Sequence, residues 1–127
     1  MNSDSELWLI IDLRNAYADR SDAQIDRLTV GLLNELRSLD SIEKVQRVPD
    51  PNPPIGEMSG GGNLLGVIAA KLSLSQVREV GGFVARKFSS KPVDIKIEAN
   101  GKKIEILGVL PEDLDRVVEA AERLARV

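Results

Sequence analysis

Few residue types in this chain could do chemistry. Its 127 residues include neither cysteine nor histidine. Thiolate nucleophiles are therefore excluded, together with the commonest general base and the commonest metal ligand. Carboxylates, lysines and a single phenol, Tyr17, remain for proton transfer. Asp12 ends an apolar run and Glu57 lies in a loop; the two could form an acid pair if the fold brings them together. Alone, Asp12 reads as a strand-end turn residue or a helix cap. The stretch from Gly56 to Gly62 is rich in glycine and precedes an apolar segment, so its backbone N–H groups could hold a phosphate. A phosphate-binding loop ends in Gly-Lys-Ser/Thr, however, and Gly62-Asn63-Leu64 stands in that place. No catalytic residue, cofactor or metal ligand is assigned on these grounds.

The elements that would position these groups form one domain, residues 1–127. A chain of this length buries roughly two thirds of its unfolded surface and needs no staples. The net charge is −3 with both signs interspersed. Without a basic run or an aromatic stacking platform, nucleic acid is an unexpected partner. The start, MNSDSE, is polar and acidic, unlike a signal peptide, so a cytoplasmic location is expected and residues 1–5 should lie outside the ordered domain.

Glu6 to Leu13 reads as a strand buried on both faces, with Trp8 a core or edge residue. Arg14 to Arg20 connects it to a helix, and Tyr17 is expected to make a loop contact. Ser21 and Gln24 have capping-box spacing, and Ile25, Leu28, Leu32, Leu33, Leu36 and Leu39 form one stripe. The helix should end near Leu39 or Asp40. Ile42, Val45 and Val48 mark a second strand. A loop rich in proline and glycine then fills residues 49–63. It reads either as a connector whose Ser59 or Asn63 caps the next helix, or as a docking element. In the docking reading Ile55 and Met58 are apolar contacts and Glu57 a polar anchor.

From Asn63 the run of Leu64, Leu65, Val67, Ile68, Ala69, Ala70 and Leu72 predicts a strongly apolar central helix. Its uncharged stretch is shorter than the roughly 20 residues of a membrane span. Ser73 and Gln76 could restart a helix, with Val77, Val80, Val84 and Phe88 on its apolar face. Gly81-Gly82 within it implies a kink or another backbone packed closely against it. Asn100-Gly101 between alternating runs predicts a hairpin pairing Ile97 with Ile104, Ile95 with Ile106, Glu98 with Lys103 and Lys96 with Glu105. Pro111 to Ala125 closes the chain as a helix. The expected fold is α+β, in the order β-α-β-α-β-β-α, with a four-stranded sheet packed by amphipathic helices and the apolar central helix. Any apolar surface left uncovered around Leu64, Leu65, Ile68, Leu72 and Leu74, or at Gly81 and Gly82, would serve self-assembly. The hairpin edge could add to this by strand addition.

Pro53, Pro54, Gly56, Glu57 and Met58, the apolar segment after them, the hairpin and the closing helix together resemble the effector-associated constant component family, type one, of bacterial conflict systems. Ser59 stands where that family often has glycine. The resemblance implies a non-enzymatic part in signal transmission or effector control. Such a part would bind an effector, such as an associated protease, through Ile55, Gly56, Glu57 and Met58, as a homo-oligomer or hetero-complex. It carries no catalytic residues with it. The alternative is a small ligand- or phosphate-binding sensor or enzyme built on the glycine-rich loop.

Overall fold

A computed structural model describes residues 5–52, 62–88 and 90–126. The elements are β1 (Glu6–Asp12), α1 (Asp22–Arg37), β2 (Lys44–Pro49), β3 (Asn63–Ser73), α2 (Val77–Lys87), β4 (Val93–Ala99), β5 (Lys102–Val109) and α3 (Leu114–Ala125). All five strands form one antiparallel sheet in the order β2-β3-β1-β4-β5. The first six elements thus follow the ferredoxin-like β-α-β-β-α-β arrangement, in which two split units interleave. β5 and α3 extend it. The class is α+β, as the sequence implies.

The expected central apolar helix is instead β3, and the sheet has five strands rather than four. Eleven residues, mostly apolar, suggested a helix by length. β3 lies between β1 and β2, where apolar side chains on both faces find cover. Ile68, Ala70 and Leu72 point into the helix-covered core, whereas Val67 and Ala69 are nearly buried on the other face. Gly66, with φ +79°, breaks the alternation. Leu65 therefore packs against the core while Leu64 lies on the opposite face. An added Cβ at Gly66 would come within 3.1 Å of Arg14 Cγ and 3.2 Å of Ile25 Cγ2, so the strand needs glycine where α1 passes.

The helix starts were set by local chemistry. At α1 the Ser21 N–H donates to Gln24 Oε1 (3.1 Å) and the Gln24 N–H donates to Ser21 Oγ (3.2 Å). The helix ends at Arg37, two to three residues before the expected stop. The restart at Ser73 is the true start of the second helical region: the Ser73 N–H donates to Gln76 Oε1, and a 3₁₀ turn leads into α2. Gly81 and Gly82 do not kink α2. Nor, among the described residues, does another backbone pack on them: they face the side chain of Leu114 of α3, whose Cδ1 would lie 3.1 Å from a Cβ at Gly81.

The hairpin has the expected register at all four pairs, with Asn100 and Gly101 both at positive φ. Asn100 Nδ2 also donates to the Leu124 carbonyl (2.9 Å), tying the turn to the end of α3. The helices all lie on one side of the sheet, over a core that includes Leu9, Ile11, Leu32, Leu36, Val80, Val84, Ile95, Ile97 and Val117.

Candidate interaction face

Strand pairing fixes which side chains share the face without helices, because directly opposed residues point the same way. Trp8 of β1 stands between Lys71 of β3 and Glu98 of β4. Ile10 stands between Ala69 and Lys96, and Asp12 between Val67 and Asp94. β2 adds Lys44 and Gln46, and β5 adds Lys103 and Glu105. Among the described residues no helix covers this side. β1 is therefore not buried on both faces as expected: Leu7, Leu9 and Ile11 are core, while Trp8 and Ile10 are only half-buried.

The face has an apolar middle, from Trp8 and Ile10 across Ala69 and Val67, bordered by charges of both signs. At one end it sinks into a depression of about 210 Å³ lined by Ile10, Asp12, Val48, Leu64, Val67 and Lys96, among others. Of the carboxylates there, Asp12 and Asp94 already have partners. Asp12 accepts from the Arg14 backbone N–H (2.9 Å) and from the guanidinium at Nε (3.0 Å) and Nη2 (2.7 Å). Burial pushes the Asp12 carboxyl up, but its bonds and attraction to Arg14 outweigh that and hold it below the ordinary value; Asp12 raises Arg14 in turn. Asp94 is 7% exposed. It accepts from Asn15 Nδ2 (2.7 Å) and from the Gly108 N–H (2.9 Å), joining the β1–α1 connection to the end of β5.

The long loop is anchored at this same end. Pro49 pairs with Asn63, and the Asp50 N–H donates to the Gly62 carbonyl (2.9 Å). The expected partner-binding residues Ile55, Gly56, Glu57 and Met58 lie outside the described residues, so the Asp12–Glu57 pairing does too. Of the residues expected to serve assembly, Ile68 and Leu72 are fully buried in the core. Leu65 and Leu74 pack against it, and Gly81 and Gly82 are covered by α3. Leu64 alone of that set lines the open face. Tyr17 is buried edge-on against Phe88, with ring centroids 5.7 Å apart. Burial pushes its hydroxyl up despite the nearby Arg20 and Lys87.

Sequence reasoning missed Ile10 as a half-exposed residue and Val67 and Ala69 as lying on the face away from the helices, because each sits inside an uninterrupted apolar run. It also missed Asp94, whose signal was an acidic residue at the strand end opposite Asp12.

Among the described residues no group of carboxylates is arranged to hold a metal ion, and no helix is long and apolar enough to cross a membrane. Comparison with family models, curated proteins and solved structures finds no match.

Proposed function

We propose that this protein is a non-enzymatic interaction component of a bacterial conflict system, and that it binds an effector protein, such as an associated protease, on the helix-free face of its sheet. The observation that carries this reading is the apolar middle of that face, the half-buried Trp8 and Ile10 beside the nearly buried Val67 and Ala69, bordered by charge. An apolar centre containing tryptophan with a polar rim is the composition of a protein-binding surface. Asp12 and Asp94 beside it are engaged by Arg14, Asn15 and Gly108, which suits a positioning role better than proton transfer. The conflict-system context comes from the resemblance of residues 53–58, together with the hairpin and closing helix, which are present. The central helix that the resemblance also implied is a strand followed by a shorter helix.

The test is co-purification with the proteins encoded beside this one, comparing the native chain with Trp8→Ala and Ile10→Glu. Both variants should keep a melting temperature near the native value, because neither side chain reaches the core. Each should lower partner affinity by about tenfold or more, the loss expected when a central contact is removed. Undiminished recovery with both variants would refute the docking face. A rise in melting temperature with phosphate or a nucleotide would favour the sensor reading instead.

A further inference from the structure

We propose that β5 pairs with β5 of a second copy of this chain, antiparallel and centred on Ile104, joining two five-stranded sheets into one. This goes beyond the proposed function and does not depend on effector binding.

Among the described residues β5 is an edge strand, with β4 as its one neighbour. Ala99 and Lys102 close the two-residue turn, and a closing pair of this kind exchanges hydrogen bonds. By alternation Ile104 bonds toward β4, while Lys103 and Glu105 turn their backbone N–H and C=O groups outward. Those outward groups can accept another strand, and the side chains decide which one.

A two-fold axis makes each contact occur twice. Centring the pair on Lys103 sets lysine against lysine, and centring it on Glu105 sets glutamate against glutamate. Centring it on Ile104 sets Lys103 against Glu105 of the partner at both ends and leaves no like charges opposed. Neither Lys103 nor Glu105 forms an ion pair among the described residues. Ile104, half-buried at the outer margin of the core, would be covered by its own copy. The same register carries Leu107, 62% exposed, across the partner's Gly101 turn, where no side chain obstructs it. Charged residues on an edge commonly prevent pairing. Here they oppose the neighbouring registers and favour this one.

Sedimentation of the native chain over a dilution series should give a concentration-dependent dimer. Lys103→Glu and Glu105→Lys should each be monomeric, because each sets like charges in contact twice. An equimolar mixture of the two should dimerise, because every opposed pair is then unlike. The chain has no cysteine, so Ile104→Cys offers a separate readout that leaves both charges in place. It should oxidise to a covalent dimer, and Lys102→Cys should not. A native chain that stays monomeric, a dimer that survives both charge reversals, or variants that fail to pair when mixed would overturn the proposal. So would failure of Ile104→Cys to crosslink. None of these outcomes alters effector recovery by the Ile10→Glu comparison, so the two readings fail separately.

Discussion

Asp94 is the most committed polar side chain on the open face. Its two oxygens accept from two different segments, at Asn15 and at Gly108. Replacing it with alanine removes the acceptor of a backbone N–H and of a side-chain amide. The half-buried Gly108 N–H loses its acceptor while the exposed Asn15 amide can turn to water, so Asp94→Ala should lose about 1–2 kcal/mol in urea unfolding. Asp94→Asn keeps an acceptor for the Gly108 N–H but turns its own amide nitrogen toward that of Asn15, and should lose about half as much. A loss from Asp94→Ala with none from the nearly isosteric Asp94→Asn would mean that volume, rather than hydrogen bonding, sets the cost. The Asp12–Arg14 pair nearby is a weaker device, because Arg14 is half exposed and solvent screens it.

At the scale of elements, the two glycine sites differ in kind. Gly66 has φ +79° and its missing Cβ space is filled by Arg14 and Ile25. Gly66→Ala should therefore cost about 2 kcal/mol, combining backbone strain with crowding. Gly81 has helical backbone and meets the tip of Leu114 closely and Val117 at ordinary contact distance. There the roughly 1 kcal/mol by which alanine favours a helix offsets the crowding, so Gly81→Ala should be close to neutral. Thermal unfolding of the two variants side by side measures the contrast. The same difference between local and distant causes explains what the sequence could reveal. The Ser21–Gln24 box, the Asn100-Gly101 turn and the closing helix are specified by residues a few positions apart, and all three could be read. Asn63–Ser73 takes its identity from β1 and β2, which lie up to dozens of residues away, and its leucines and alanines favour helix when considered alone. The open face shared that fate: Trp8 and Ile10 look like core until the sheet is seen to have helices on one side only.

For the whole molecule the question is whether the six-element unit is sufficient without its extension. Residues up to Ala99 contain every strand and helix of the split β-α-β arrangement, so topology alone suggests that they could fold. The packing argues otherwise. α3 lies against β4 and β5, and α2 packs mainly on α3. Val117, Ala120, Ala121 and Leu124 are buried in that contact, beside Ile95, Ile97, Val80 and Val84. Arg78 reaches across to Asp115, and Asn100 bonds to the last turn of α3. Deleting β5 and α3 would remove the apolar groups of one side and expose those of the other. The loss is on the order of 10 kcal/mol, comparable with the whole stability of a domain this size. A chain ending at Ala99 should therefore keep helical far-UV signal but lose near-UV signal and bind a hydrophobic dye, and its urea transition should be broad. A sharp cooperative transition in that truncated chain would mean that α2 can settle onto β4 without α3, and that the extension is an addition to the core rather than part of it.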